Sequence, residues 1–312
     1  MDSMAAQAGT GPATGPLTVI RKVRRRTLAD LPTDRTLVMG ILNVTHNSFS
    51  DGGDYLDTET AIEQGLRLHY SGADIIDVGG ESTRPGAEAI DTLTEQNRVL
   101  PVIEALLKAG AVVSVDTMHT ATAEAALKLG DVIVNDVSGL NHEPDMPELI
   151  ARTGAPYVLM HNRGDAQTMD SLAEYEDVVE EVVGELSGLV DRFLAAGVRR
   201  EQLILDPGLG FAKAGDQNWE LLRGLDRLVG LGLPVLVAAS RKRFLGSLLA
   251  TRSGAEPAPK DRDHVTAAVS ALSAAHGAWG VRVHHVESSL HAVKVARAWT
   301  GGPGPVGRQP GA

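Results

Sequence analysis

The sequence predicts an α/β fold, a (β/α)8 TIM barrel, from three observations. Eight short apolar runs recur along the chain, and segments with helical periodicity lie between them. Strands that alternate with helices in this way pair in parallel. Each run also ends in more polar residues than a turn requires, among them arginine, lysine and histidine. Barrels of this class carry their active sites at the carboxyl ends of the strands, so these residues are candidates for function.

The predicted strands are apolar throughout, as expected for strands that are covered on both faces. They comprise residues 38–42, 75–78, 112–115, 132–134, 157–160, 203–205, 235–239 and 279–281. Apolar residues that recur at intervals of three and four predict helices over 60–70, 94–107 and 172–196. A doubly wound open sheet would show the same alternation. Polar clusters at the ends of all the strands favour a closed barrel, because an open sheet concentrates its site at one switch point.

Composition limits the classes of function. The chain has 312 residues, is 43% hydrophobic, contains no cysteine and carries a net charge of −11. One barrel with short tails accounts for the length. The absence of cysteine excludes disulfides and thiolate sites, and the negative charge argues against a nucleic-acid partner. No apolar stretch reaches the roughly 18 residues of a membrane span and no signal-peptide core is found, so we expect a cytoplasmic protein with no membrane partner.

The two ends of the chain differ in composition from the rest. Residues 1–30 are poor in large apolar groups and end in a run of five basic residues between positions 21 and 26. We expect a disordered basic tail there, a solvated segment rather than a nucleic-acid or membrane patch. The barrel then occupies residues 31–300, and a flexible low-complexity tail occupies 301–312.

One set of strand-end residues combines acidic, amide and basic side chains. Asp116, Asn135 and Asp206 each follow a different strand, and Lys242 follows another. Carboxylates could bind Mg²⁺, but a lysine in the same mouth would compete with a metal. A flat organic ring with a donor edge and an acceptor edge fits better, because carboxylates accept paired hydrogen bonds and lysine donates to a carbonyl or ring nitrogen. This is the hydrogen-bonding pattern of a pterin.

A second set is cationic. Thr83 and Arg84 follow the second strand, and Arg282 and His284 lie two residues apart on the last strand, so that both point to one face. Two guanidinium groups, an imidazole and a hydroxyl would form a clamp for a phosphate or a diphosphate. Asn43, with Thr45, could add oxygen ligands for a Mg²⁺ that accompanies such an anion.

At these strand ends the chain resembles the dihydropteroate synthase family, over residues 36–300. The resemblance is carried by Gly-Ile-Leu-Asn-Val-Thr at 40–45, Ser-Phe-Ser-Asp-Gly-Gly at 48–53, Asp-Val-Gly-Gly-Glu-Ser-Thr-Arg-Pro-Gly at 77–86, Ser-Val-Asp-Thr at 114–117, Asn-Asp-Val-Ser-Gly at 135–139, Asp-Pro-Gly-Leu-Gly-Phe at 206–211, Ser-Arg-Lys at 240–242 and Arg-Val-His at 282–284. The stretches at 239–246 and 276–284 are most similar to actinobacterial members.

The resemblance implies a function and a set of roles. The reaction would be displacement of diphosphate from 6-hydroxymethyl-7,8-dihydropterin diphosphate by p-aminobenzoate, with 7,8-dihydropteroate as product and sulfonamides as inhibitors. Mg²⁺ would be the cofactor, and the protein would be a homodimer through barrel helices, with residues 265–275 as a contact. The implied pterin residues are Asp116, Asn135, Asp206, Phe211 and Lys242; the diphosphate and metal residues are Asn43, Thr83, Arg84, Arg282 and His284; and the p-aminobenzoate residues are Phe49, Thr83, Pro85 and Ser240.

Three positions depart from the family pattern. His46 and Asn47 stand where proline and aspartate are usual, and His285 stands where aspartate is usual. Strand alternation predicts that His285 points away from His284 and acts in packing. These departures leave open a pterin-binding paralogue with lost or altered catalysis, and a second alternative is a pterin-binding methyltransferase that acts with a corrinoid protein. The second would leave the cationic clamp without a ligand.

Overall fold

A computed structural model describes residues 27–45, 54–82, 90–165 and 167–301 of the chain. In this part of the chain, eight parallel strands form one sheet, which confirms the predicted strands and their pairing. The strands are β1 (Leu37–Asn43), β2 (Ile75–Gly79), β3 (Val112–Asp116), β4 (Val132–Asp136), β5 (Tyr157–Met160), β6 (Leu203–Asp206), β7 (Leu236–Val237) and β8 (Gly280–Val283).

The sheet closes into a barrel. Ladder pairing runs in the order β6, β5, β4, β3, β2, β1, β8, β7, and Leu205 of β6 forms a parallel bridge with Val235, next to β7. The Leu205 amide donates to the Pro234 carbonyl across this seam at 2.8 Å. The predicted closed barrel is therefore confirmed over the open sheet. The strand pairing is shortest at this seam, since β7 has only two residues.

Helices lie between the strands and cover the outside of the barrel. They are α1 (Asp54–Tyr70), α2 (Thr92–Lys108), α3 (Thr120–Leu127), α4 (Met146–Thr153), α5 (Val178–Ala195), α6 (Gly215–Arg223), α7 (Leu225–Val229), α8 (Arg243–Leu248), α9 (Asp263–Ala275) and α10 (Val286–Thr300). None of the helices in the described ranges is long and apolar enough to cross a membrane.

The predicted helix over 172–196 starts too early. The chain makes a short 3-10 turn at Met169–Leu172, and the α-helix begins only after Asp177. The Asp177 carboxylate accepts hydrogen bonds from the amides of Val179 and Glu180 at 3.0 and 3.1 Å. This N-cap satisfies two amides of the first turn that have no partner within the helix, and it sets the start of α5.

Strand periodicity divides the core into an outer and an inner part. Outward side chains, such as Val78, Val115 and Val134, pack against the helices in one large apolar cluster. Inward side chains form a second apolar cluster in the barrel interior, made of residues that include Ile75, Val112, Ile133, Ile204 and Leu236.

A polar layer stands on this inner cluster. Because side chains two residues apart share a face, Asp77 lies above Ile75, and Asn135 lies above Ile133. The same relation places Asp206 above Ile204. The apolar layer is thus the floor of the barrel mouth, and the polar layer is its lining.

The amino-terminal end of the barrel corrects one predicted boundary. Leu28–Asp30 form a 3-10 turn, Leu28 packs against the inner cluster, and Leu31 is buried in it. The predicted disordered tail of 1–30 therefore extends at least four residues too far, because these leucines help to close the bottom of the barrel. The rest of that tail, and residues 302–312, lie outside the described residues.

Candidate active site

The barrel mouth brings together the predicted site residues that the structure describes. Each stands at the carboxyl end of a strand or in the loop that follows it: Asn43, Asp116, Asn135, Asp206, Phe211, Ser240, Lys242, Arg282 and His284. The predicted residues Phe49, Thr83, Arg84 and Pro85, and the unusual pair His46 and Asn47, lie outside the described residues.

A buried ion-pair network occupies one side of the mouth. The Arg282 guanidinium donates from Nε to Asp77 Oδ2 at 2.6 Å and from Nη2 to Asp116 Oδ2 at 2.5 Å. The Arg282 side chain is only 17% exposed, and Asp77 is fully buried. The sequence pattern predicts Arg282 in the diphosphate clamp, but its long side chain crosses the interior from β8 to β2 and β3. Arg282 therefore also pairs with the acidic residues of the mouth.

Asp77 is a site residue that sequence analysis missed. Its Oδ2 accepts both from Arg282 and from Asn135 Nδ2, the latter at 3.1 Å, while its Oδ1 is buried without a partner among the described residues. Asp77 thus orients two side chains of the mouth at once. With the Asn135 amide nitrogen held in this way, the Asn135 oxygen is left to accept from a ligand. The available signal was a carboxylate inside an otherwise apolar strand.

Asp116 titrates near neutrality because of its surroundings. Burial raises its pKa to about 7, the Arg282 charge opposes the rise, and Asp77 adds to it. A carboxyl group in this state accepts hydrogen bonds fully only when it loses its proton. A ring edge with N–H donors would favour the ionised form.

The charges of Asp206 and Lys242 influence each other across the mouth. Burial raises the pKa of Asp206, and the Lys242 ammonium opposes the rise. Burial lowers the pKa of Lys242 to about 8. Lys242 Nζ donates to the Leu209 carbonyl and lies 4.7 Å from the centre of the Phe211 ring. The predicted grouping of these side chains is consistent with this geometry.

The glycine-rich loop after β6 permits the close approach of Lys242. Gly210 has a left-handed φ of +75°, and a Cβ there would lie 3.1 Å from Lys242 Cδ. A side chain at this position would be strained and would also press on the lysine. The loop begins with a hydrogen bond from the Gly208 amide to Asp206 Oδ1 at 2.7 Å. The backbone of this loop therefore contacts both Asp206 and Lys242.

Ser240 and His284 are in direct contact, although sequence analysis assigned them to different substrates. Ser240 Oγ lies 2.9 Å from His284 Nδ1, and the His284 backbone amide donates to Ser240 Oγ at 3.1 Å. The hydroxyl therefore joins the ends of β7 and β8 on the side of the mouth next to Arg282. A ligand bound there would meet both residues together.

The remaining candidates lie at the edge of the mouth. Asn43 ends β1, beside Gly79, and is half-buried. Within the described ranges, no group of three or more histidine, cysteine or acidic side chains is arranged to hold a metal ion. His285 is exposed and caps α10 by accepting from the Ser288 amide at 3.3 Å, so its role is at a helix end rather than in packing. His119 lies 3.0 Å from Glu143, outside the charged set of the mouth.

Comparison with known proteins identifies relatives of the chain. The model of the pterin-binding enzyme family matches residues 39–284. A dihydropteroate synthase of Mycobacterium leprae is 52% identical over 84% of this chain and 93% of its own length. The structure of the Xanthomonas albilineans dihydropteroate synthase with 4-aminobenzoic acid superposes with a TM-score of 0.79 and 40% identity, covering 87% and 95% of the two chains. The structure of the Yersinia pestis dihydropteroate synthase with a sulfonamide drug superposes with a TM-score of 0.78 and 37% identity, covering 86% of this chain and 95% of the other.

The ion-pair network predicts a pH-dependent stability. The pKa of Asp116 is about 7 in the folded protein against an ordinary 3.8, so its folded form holds the proton longer and its contribution to stability falls as pH rises from about 4 to 7. Arg282→Met removes the cation that holds the pKa of Asp116 down, so this pKa increases further. The decrease in stability with rising pH then continues above pH 7. We expect urea unfolding to show a stability deficit that grows by up to about 1.4 kcal/mol per pH unit above pH 7.

Arg227→Met is the matched control for this variant. Arg227 pairs with Glu180 on the surface, with side chains 60% and 53% exposed, so its removal should cost little at any pH. A deficit of Arg282→Met that stays constant between pH 6 and pH 9 would contradict the proposed network.

Proposed function

The chain belongs to the dihydropteroate synthase family of pterin-binding enzymes, and we propose how its barrel mouth carries out the reaction. The protein is a transferase of folate biosynthesis. It condenses 6-hydroxymethyl-7,8-dihydropterin diphosphate with p-aminobenzoate to give 7,8-dihydropteroate and diphosphate. The observation that supports this most is the set of polar side chains at the strand ends above an apolar floor: Asp116, Asn135, Asp206 and Lys242, of which Asn135 and Asp206 are buried.

The pterin ring lies on the apolar floor and is recognised along its edges. Asp206 and Asp116 accept from the amino and ring N–H groups, the Asn135 oxygen accepts a further hydrogen bond, and Lys242 donates to the ring carbonyl or a ring nitrogen. Phe211 supplies an apolar wall next to Lys242. This assignment uses each buried polar group with its own chemistry, and buried groups without partners are costly.

The charge that develops on the departing diphosphate is stabilised from the side of β8. Arg282 has five N–H donors, of which the described contacts with Asp77 and Asp116 use two, and His284 follows directly after the end of β8. Arg84 joins them in this proposal by its place in the motif. Fixed cations in a water-poor site make a large electrostatic contribution when charge moves onto a leaving group.

The aryl amine attacks the carbon that the diphosphate leaves. A neutral aniline needs no strong general base, so the site has to orient the amine rather than deprotonate it beforehand. Ser240, held by His284, borders p-aminobenzoate, together with Phe49, Thr83 and Pro85 by their motif positions. Sulfonamides carry a similar aryl amine, and we propose that they compete for this place.

We propose Mg²⁺ as the cofactor. Asn43 offers a neutral oxygen at the end of β1, which suits a hard cation that keeps most of its ligands from water and phosphate. Bound Mg²⁺ would offset negative charge on the diphosphate. The single protein oxygen fits an ion that enters with the substrate rather than one caged by the protein.

We propose a homodimer, with α9 and α10 as its contact. Three large apolar side chains on these adjacent helices are exposed: Leu272 by 64%, Val295 by 61% and Trp299 by 88%. Large apolar groups left exposed on neighbouring elements are typical of an interface between subunits. We also propose a cytoplasmic location, which suits substrates as highly charged as a pterin diphosphate.

Turnover tests the proposed function directly. Purified protein with pterin diphosphate, p-aminobenzoate and Mg²⁺ should release diphosphate, measured by a coupled colorimetric assay. Release should fall to background without p-aminobenzoate and should drop strongly when a chelator removes Mg²⁺. Absence of release under the complete conditions would contradict the function and would favour a paralogue without catalysis.

The pKa values of the mouth predict a pH profile. Asp116 accepts hydrogen bonds once it is ionised, so kcat/KM for the pterin substrate should rise through about pH 7 and fall above about pH 8 as Lys242 loses its proton. Asp116→Asn should remove the acidic limb and lower kcat/KM by about tenfold to a hundredfold, the loss expected for hydrogen bonds to a charged group.

Asp136→Asn is the matched control for this profile. Asp136 lies on the neighbouring strand but faces outward, where it accepts from the Tyr157 hydroxyl at 2.7 Å, and burial raises its pKa as well. An acidic limb that is lost in Asp136→Asn and kept in Asp116→Asn would show that the limb belongs to another group.

Oligomeric state tests the proposed contact. Sedimentation velocity should show a dimer for the wild type and a monomer for Leu272→Ser combined with Trp299→Ser, because the pair removes the largest exposed apolar area of α9 and α10. Leu248→Ser, at another exposed leucine, should leave the dimer intact. A dimer that survives the double substitution would place the interface elsewhere.

A further inference from the structure

A second buried lysine lies next to the mouth, and the proposed chemistry does not use it. Lys213 ends the loop that begins at Asp206, and it is only 4% exposed. Its Nζ donates to the Phe211 carbonyl at 2.8 Å and lies 2.8 Å from His161 Nδ1. Burying an amine of this kind is costly unless its contacts compensate, so the contacts of Lys213 indicate a role.

The partner of Lys213 is fixed in one tautomer. His161 is fully buried, and its Nε2 lies 2.8 Å from Glu185 Oε2. Burial raises the pKa of Glu185, but hydrogen bonds from His161 and Arg163 outweigh it and bring the pKa to about 2. The carboxylate can only accept, so His161 Nε2 carries the hydrogen and Nδ1 accepts from Lys213. Arg163 also donates to Glu181 at 2.9 Å, which ties this chain of contacts to α5.

The loop that Lys213 closes is strained. Ala212, between Phe211 and Lys213, has a φ of +46°, a conformation that residues other than glycine rarely adopt. Gly208 is also left-handed, and a Cβ there would lie 1.8 Å from the His161 carbonyl oxygen. Such a backbone persists only where surrounding contacts hold it, and strain of this kind is concentrated at functional sites.

The same loop contacts Asp206 and Lys242 and carries Phe211, which are three side chains of the pterin site. Asp206 Oδ1 accepts from the Gly208 amide, the Leu209 carbonyl accepts from Lys242, and Phe211 faces Lys242. We propose that Lys213 is a positioning residue for the pterin: through His161 and the Phe211 carbonyl it holds this loop in the conformation that places Asp206, Lys242 and Phe211. This inference rests on the proposed function, and it adds Lys213, His161 and Glu185 to the residues on which pterin affinity depends.

Electrostatics supports the same role. Burial raises the pKa of Asp206, and the charges of Lys242, Arg282 and Lys213 limit that rise, while burial lowers the pKa of Lys213 itself well below its ordinary value. Loss of Lys213 would release the loop, and loss of its positive charge would reduce the ionised fraction of Asp206. Both effects weaken binding of the pterin and leave the site of p-aminobenzoate, beyond Ser240, untouched.

Lys213→Met tests this proposal, since methionine keeps most of the length of the side chain and removes the donors. We expect the KM for the pterin substrate to rise about tenfold or more, with little change in the KM for p-aminobenzoate or in kcat. The Kd of 6-hydroxymethylpterin, measured by calorimetry without the second substrate, should rise by a similar factor. Lys128→Met, at a lysine whose side chain is 70% exposed, should match the wild type.

A pair of His161 variants keeps the test decisive if Lys213→Met does not fold. Glutamine at 161 can accept from Lys213 and donate to Glu185, whereas leucine can do neither, so His161→Leu should raise the pterin KM and Kd well above those of His161→Gln. A purely structural role would lower the active fraction, and hence kcat, without changing either constant.

The outcomes separate the inference from the proposed function. Unchanged pterin KM and Kd in Lys213→Met, or equal values in the two His161 variants, would overturn the positioning role while wild-type turnover upholds the function. Wild-type protein that binds 6-hydroxymethylpterin but shows no turnover would overturn the function instead, and the Kd values of the variants would still decide the inference.

Discussion

The charge balance inside the barrel mouth is the constraint on which the rest of the site depends. Asp77 and Asp206 are buried carboxylates and the Asp116 side chain is only 10% exposed, and isolated charges in such places are too costly to retain. Arg282 offsets the first two by reaching across the interior, and Lys242 offsets the third. Removing either cation would leave a carboxylate that has to take up a proton, and the mouth would then lose acceptors that its ligand needs. Binding and stability are therefore coupled through the same charged groups.

The architecture explains why these charges can be held so closely. The inward positions of the strands change from apolar to polar within two residues, as from Ile75 to Asp77 and from Ile204 to Asp206. The apolar layer excludes water from below, which strengthens every interaction above it. It also offers a flat ring a surface to lie on, while hydrogen-bonding groups approach its edges from several strands. A barrel supplies this arrangement because its strands converge on one mouth from all sides.

Much of this was predictable from the sequence, and what was not has physical reasons. Strand ends such as Asp116 and Asp206 were predictable, because a carboxylate directly after a buried apolar run has to lie at the rim of the barrel. The partners of Arg282 were not predictable, because its side chain spans several strands. Strand periodicity gives the direction of a side chain but not the residues that its far end contacts. Asp77 was hidden within an apolar run, and Lys213 lies in a loop, where no periodicity applies. The start of α5 was missed because the Asp177 cap outweighs the apolar pattern before it.

The two sides of the mouth are held by different means, and this bears on how a ligand is bound. On the side of β2, β3 and β8, ion pairs hold Arg282, Asp77 and Asp116, and a change in protonation can alter them. On the side of β6 and β7, a strained loop is held through His161, which stays neutral near pH 7 because burial lowers its pKa to about 4. A ring bound between the two sides therefore meets one wall held by ion pairs and one held by a strained loop, and each wall carries a titrating group, Asp116 on the first and Lys242 on the second. Such a division lets the strained loop set the position of the pterin, while the two titrating groups respond to the charge of the ligand.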